Sequence, residues 1–223
     1  MMEIRAVYRR QLREIQDEIL VMGSMVEKAL ASSIGALKSR DIETAKRIIA
    51  DDEKVNRNRF EIEERCIQLI ATQQPLAGDL RIIIAVLNII VELERIGDYA
   101  VGIARIVVLT GDEPPIKPLI DIPRMTDKAI LMLRESLQAF IARDAQAARA
   151  TAARDDEVDT LYIQVYRELL TFMTEDPRTI TRASRLMQVA HNLERSADRV
   201  TNICERVEYA VTGKMQETRM KGR

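Results

Sequence analysis

The sequence predicts an all-α fold of two tandem, pseudo-symmetric three-helix bundles, built from six long antiparallel helices. Three observations carry this expectation. Apolar residues step by three or four over stretches of about 30 residues, the period of one helix face. The six prolines fall between these stretches and never inside one. The second half also repeats the first. Met125, Ala129, Met132, Leu133, Leu137 and Phe140 correspond to Met22, Val26, Ala29, Leu30, Ile34 and Leu37 at a constant offset of 103.

The first helix is expected from about Arg5 to Lys38, with Leu12, Ile15, Ile19, Met22, Val26 and Leu30 on its buried face. Asp41 is a suitable N-cap for the second helix, which runs to about Thr72. Gln73-Gln74-Pro75 ends it, because the residue before proline is pushed out of the helical region. Asp79 is expected to cap the third helix, which continues to Thr110, and Gly111 to close it in a left-handed conformation. Between Ile82 and Val91 this helix is apolar on nearly every side, as a helix buried all round must be.

Residues 111–123 hold Pro114, Pro115, Pro118 and Pro123 and read as a linker. The fourth helix is expected from Arg124 to Ala142. The fifth runs unbroken from Asp144 to about Thr174, with Val158 matching Val55. Asp176 and Pro177 make an N-cap and first-turn pair for the sixth helix, which stops at Gly213. The expected organisation is therefore a first bundle over 1–110, the linker 111–123, a second bundle over 124–213 and a polar tail over 214–223.

Composition narrows the function. Hydrophobic residues make up 47% of the 223, ample for a core, while aromatics are 4% and Trp is absent. The formal net charge of -1 gives no long-range pull toward nucleic acid or an anionic membrane. No Gly-rich phosphate loop appears, and no Ser, Cys or Asp has a base placed to activate it. The Glu-x-x-His pairs of di-iron bundles are missing, since the order here is His191-x-x-Glu194. A non-enzymatic protein is the expectation. Cys66 and Cys204 read as small core residues of a reducing compartment. The N-terminus lacks an apolar signal core, and the run Ile82 to Val91 is about half a bilayer span. Both point to a cytoplasmic protein without membrane insertion.

One short pattern recurs. Glu94-Arg95-Ile96-Gly97-Asp98 comes back as Glu194-Arg195-Ser196-Ala197-Asp198. A Glu and an Asp four apart share a helix face, and two carboxylates so close call for a compensating cation. Antiparallel helices joined by a tight turn stand level at equal distances from it. Counting back about 20 residues from Pro75 places Asp52 and Asn56 opposite Glu94 and Asp98. Around Pro177 the same count places Asp155 and Asp159 opposite Glu194 and Asp198. Such oxygen sets suit hard or borderline cations. Ion-pair scaffolding through Arg95 and Arg195 satisfies the same spacing, and Asp51, Glu53, Lys54 and Arg57 make the first level a mixed charge cluster. Both readings stay open at this stage. His191 is a candidate peripheral ligand or a structural residue.

The run Ile70-Ala71-Thr72-Gln73-Gln74-Pro75, with Asp79-Leu80-Arg81 after it and Glu92-Leu93-Glu94-Arg95-Ile96-Gly97-Asp98 beyond, closely resembles the PhoU family of bacterial phosphate-specific transport accessory proteins. The resemblance covers essentially the whole chain. It implies two similar three-helix bundles. It also implies a negative regulator of the phosphate-starvation response that restrains uptake, linking the ATPase subunit of a phosphate ABC transporter to the cytoplasmic part of a sensor histidine kinase. A homodimer is implied as well, and metal (Fe, Zn, Mn or Mg) on the Glu/Asp-x-x-x-Asp motifs. Those motifs match Glu94 to Asp98, Glu194 to Asp198 and Asp155 to Asp159, and less well Asp52 to Asn56. Many members carry His after the motif Asp, where this chain has Tyr99 and Arg199. Arg199 is expected to place a cation beside the second site. A carboxylate-bridged metal bundle with redox, hydrolytic or storage activity is the alternative function.

Overall fold

A computed structural model describes residues 2–214, with side chains from Val7 onward. The expected tail beyond Lys214 lies outside the described residues. The described chain is almost entirely helical.

Helix α1 spans Met2–Ser39, α2 Ile42–Gln73 and α3 Ala77–Thr110. Asp41 caps α2 as expected, its Oδ1 accepting from the Thr44 amide at 2.9 Å. Asp79 does not cap α3. The helix begins two residues earlier behind Leu76, which offers no side-chain cap, and Asp79 lies in the first turn, where its charge suits the helix dipole. Ile83, Val86, Ile89, Ile90 and Leu93 are wholly buried, so α3 is the central helix that its continuous apolarity requires. Gly111 closes α3 with φ 60 and ψ −137, a positive-φ conformation but not the expected left-handed helical one.

Helix α4 spans Asp121–Ala142, starting three residues before Arg124. Pro123 therefore falls in its first turn, where the missing amide hydrogen leaves no helical bond unmade. The expected fifth helix is two helices, α5 (Ala145–Ala152) and α6 (Asp155–Glu175). At Ala153-Arg154 the bonding tightens: the Arg154 amide donates to Thr151 O and the Glu157 amide to Arg154 O, both three residues back. Neither proline nor glycine marks the break. The signal that exists is Asp155, Asp156 and Glu157, an acidic first turn for a new helix. Asp176 caps a 3-10 turn at Pro177–Thr179, and α7 follows over Ile180–Thr212, ending at Gly213 in the left-handed region.

Helices α3 and α7 pack along one another, with α1 and α2 against α3, α4 and α6 against α7, and α1 against α4. Glu92 meets Asn202, and Gly102 meets Asn192, so the two central helices run antiparallel. Adding the repeat offset of 100 to Glu92 and subtracting it from Asn202 turns the first pair into the second. The repeats are therefore related by a pseudo-two-fold axis across this seam. Their apolar interiors form one continuous core.

Helix α1 is the one described helix long and apolar enough to cross a membrane by length and composition. Its apolar stripe, Leu12 through Leu30, is buried within the bundle.

Candidate functional site

The first acidic level lies between α2 and α3. A Cβ at Gly97 would stand 3.7 Å from Asp52 Oδ1 and 3.6 Å from Val55 Cγ1, so Asp52 is level with the Glu94–Asp98 turn. Asn56 is turned to Asp52, its Nδ2 donating to Oδ2 at 3.1 Å. Burial, and then the charge of Asp98, pushes the Asp52 carboxyl above its ordinary range. Burial raises Glu94 as well, Asp98 adds to the effect, and Arg59 and Arg95 oppose it. Arg59 Nη1 is 3.9 Å from Glu94 Oε1, and Arg95 Nη1 is 3.3 Å from Asp98 Oδ2. Sequence reasoning missed Arg59. The available signal was its position seven residues beyond Asp52, two turns along the same face. A cleft of about 250 Å³ beside Asp52, lined by Met25, Lys28, Asp51, Lys54 and Gly97, opens this level to solvent.

The second level lies between α6 and α7 and is more closed. The Asp198 side chain is 8% exposed, against 42% for Asp98. Asp155 is buried and Asp159 half-buried. Glu194 is pushed up to about 7, first by burial and then by the charges of Asp198, Asp159 and Asp155, with Arg195 opposing. Arg195 Nη1 sits 2.7 Å from Asp198 Oδ2. Glu194 Oε2 is buried and receives no hydrogen bond, and His191 Nδ1 is 3.6 Å from it. Tyr162, two turns beyond Asp155, joins the site unannounced by the sequence: burial and then Glu194 raise its phenol, and its ring lies 6.2 Å from that of His191. The break before Asp155 explains why this level differs from the first. It puts Asp155 at a helix N-terminus, where the dipole favours a carboxylate, whereas Asp52 sits in mid-helix.

Arg199 does not stand beside the second acidic level. It reaches across the α3–α7 seam, 3.4 Å from both Glu92 Oε2 and the Tyr99 hydroxyl. A position one residue beyond the motif Asp turns away from the acidic face, because successive helix positions diverge by about 100°.

All eight sequence-derived residues thus lie at two levels, Asp52, Asn56, Glu94 and Asp98 at one, and Asp155, Asp159, Glu194 and Asp198 at the other. In kind and charge these oxygen donors fit a hard or borderline cation, most of all around the unbonded Glu194 Oε2. Among the described residues no three His, Cys, Asp or Glu side chains converge as a ligand group. Asp98 and Asp198 are turned instead to the arginines of their own motifs. Nucleophilic chemistry has no footing at the cysteines, since burial pushes both Cys66 and Cys204 up to about 12.

An all-helical repeat protein with one acidic level per repeat is the class that the fold and these sites define. The PhoU domain matches it twice, over residues 19–107 and 122–207. The chain belongs to the PhoU family. It is 39% identical over 186 residues to a phosphate-specific transport system accessory protein PhoU homolog of Aquifex aeolicus, covering 83% of this chain and 84% of that one. With the phosphate-specific transport system accessory protein PhoU of Escherichia coli it shares 36% identity over 210 residues, 94% of this chain and 87% of the relative. The crystal structure of PhoU from Pseudomonas aeruginosa superposes with a TM-score of 0.88 at 34% identity, covering 93% of this chain and all of that one.

Proposed function

We propose that this protein is a non-enzymatic accessory regulator of phosphate uptake and a negative regulator of the phosphate-starvation response. In this reading it works in the cytoplasm, as a homodimer, between the ATPase subunit of a phosphate ABC transporter and the cytoplasmic region of a sensor histidine kinase. One observation carries the reading: both repeats match the family of phosphate transport accessory proteins. The buried thiols agree with a role in binding rather than turnover. The test is deletion of the gene in its own host with the kinase intact. Alkaline phosphatase, read in phosphate-rich medium, should rise, and an unchanged level would sink the proposal. Co-purification with the ATPase subunit and with the kinase fragment tests the two partners separately.

The acidic levels would hold Fe, Zn, Mn or Mg. Asp155, Asp159, Glu194 and Asp198 would form one ligand set, and Asp52, Asn56, Glu94 and Asp98 the other. A bound cation would offset the burial and the neighbouring carboxylate charges that push Glu194 up to about 7. Elemental analysis of protein purified without chelator, beside the Glu94→Ala/Asp98→Ala and Glu194→Ala/Asp198→Ala variants, should find metal that is lost level by level.

The second reading, a metal bundle with redox, hydrolytic or storage activity, is favoured by the buried, unbonded Glu194 Oε2. It requires turnover or bulk metal uptake by the loaded protein, and neither is expected here.

A further inference from the structure

The pseudo-two-fold axis relates two clefts at opposite ends of the molecule. One is lined by Leu37, Arg40, Thr110 and Arg182, and the other by Phe140, Arg143, Ala210 and Ile82. These are the same repeat positions, at offsets of 103 for Leu37 and Arg40 and 100 for Thr110 and Arg182. Their contents differ. The first cleft is filled by the chain's own inter-repeat segment. Arg40 Nη1 donates to Asp112 O at 3.0 Å and Arg182 Nη1 to Pro114 O at 3.3 Å, while Arg185 stands 3.6 Å from the Glu113 carboxylate. Only about 30 Å³ is left open there.

The second cleft keeps about 250 Å³, and it adjoins a polar cleft of about 450 Å³ that shares Asp79 and Arg143 with it. Arg81 and Arg143 line the first of these, and Arg9, Arg13 and Arg143 the second. None of the four arginine side chains makes a hydrogen bond or ion pair among the described residues. Arg81 Nε is buried without a partner. Among the described residues Asp79 is the one carboxylate on either wall, so the described arginines leave a net positive surface. Arg143 holds φ 54, a conformation that costs a non-glycine residue energy, as Arg40 does at φ 58. At Arg40 the guanidinium spends that placement on Asp112. At Arg143 it faces an open cleft.

By the repeat, the segment that would fill the second cleft follows Gly213. That segment has Lys214, Arg219, Lys221 and Arg223 against Glu217 alone, the wrong charge for arginines. We propose that the Arg81–Arg143 cleft is a docking site for an acidic, extended segment of a partner protein, received as its counterpart receives Asp112–Pro115. The site stands or falls independently of the regulatory role proposed above.

The probe is the chain's own Gly111–Pro118 peptide, Gly-Asp-Glu-Pro-Pro-Ile-Lys-Pro, titrated into the full-length 15N-labelled protein at low salt and followed by amide shifts. Saturable shifts at Gly78, Arg81 and Arg143 are expected, with a Kd of about 1 mM or tighter. Arg81→Gln and Arg143→Gly should each weaken binding by about tenfold or more, the loss of one charge-assisted hydrogen bond. Glycine suits φ 54, so Arg143→Gly separates lost charge from lost fold. Absence of saturable shifts overturns the proposal. So does equal binding of a peptide with Asp112→Asn and Glu113→Gln. Binding of inorganic phosphate where the peptide does not bind reassigns the cleft to a small oxyanion. Binding seen only after removal of residues 214–223 reassigns it to the tail.

Discussion

Asn202 Nδ2 donates to Glu92 Oε2 at 3.3 Å across the α3–α7 seam, and the symmetry-related pair is Asn192 against Gly102. The same contact is thus made twice with different chemistry. Arg199 reinforces the first copy by reaching Glu92 and Tyr99. The second copy depends on close approach, since a Cβ at Gly102 would stand 2.9 Å from Asn192 Nδ2. Across the α3–α7 seam these polar contacts are concentrated on one side of the axis.

That asymmetry predicts a measurable coupling. Glu92→Ala and Arg199→Ala, singly and together, should show an interaction energy of about 0.5–1.5 kcal/mol in urea unfolding. Both side chains are mostly shielded from solvent, so screening does not erase it. A coupling near zero would mean that the Glu92–Arg199 pair adds nothing to the seam.

The second acidic level predicts a pH dependence. Glu194 titrates at about 7 in the folded protein and near 4.5 when unfolded. Below the unfolded value the carboxyl is protonated in both states and carries no penalty. Between the two values the folded protein keeps a proton that the unfolded chain releases, so stability falls as pH rises, and the loss is complete above about 7. Glu194→Gln should therefore stabilise the protein by about 1–3 kcal/mol at about pH 8 and change little at about pH 4. Chemical denaturation at the two pH values checks this.

Cation binding would reverse that penalty. Mn²⁺ or Zn²⁺ at about 100 times its Kd should stabilise the wild type by about 2.7 kcal/mol. For a chain of this length that is roughly 5–10 °C in Tm. Glu194→Gln/Asp198→Asn should abolish the shift. The more exposed first level, held by Arg59 and Arg95, should contribute less, as read from Glu94→Gln/Asp98→Asn.

Two glycines of α1 should respond in opposite directions. Nothing lies within 4 Å of a Cβ at Gly35, so Gly35→Ala should stabilise by about 0.5–1 kcal/mol through the helix propensity gained. A Cβ at Gly23 would come within 2.3 Å of Leu137 Cδ1, at the contact between α1 and α4. Gly23→Val should cost about 1–3 kcal/mol. Thermal or urea unfolding of the pair measures how tightly the repeats are docked.

The helical period, the proline positions and the offset between halves were sufficient for the helices and their duplication. The matching heights of Asp52 with Glu94–Asp98, and of Asp155 with Glu194–Asp198, were legible too. Both are one-dimensional facts: periodicity decides which residues share a face, and distance from a turn decides which residues stand level. The break at Ala153-Arg154, the approach of Arg59 to Glu94, the turn of Arg199 toward Glu92 and the filled and open arginine clefts were decided only in three dimensions. Each depends on which neighbour occupies the space beside a side chain. That is set by how helices distant in sequence pack, and local spacing carries only a partial signal of it, as at the acidic turn of Asp155 and at Arg59 two turns beyond Asp52.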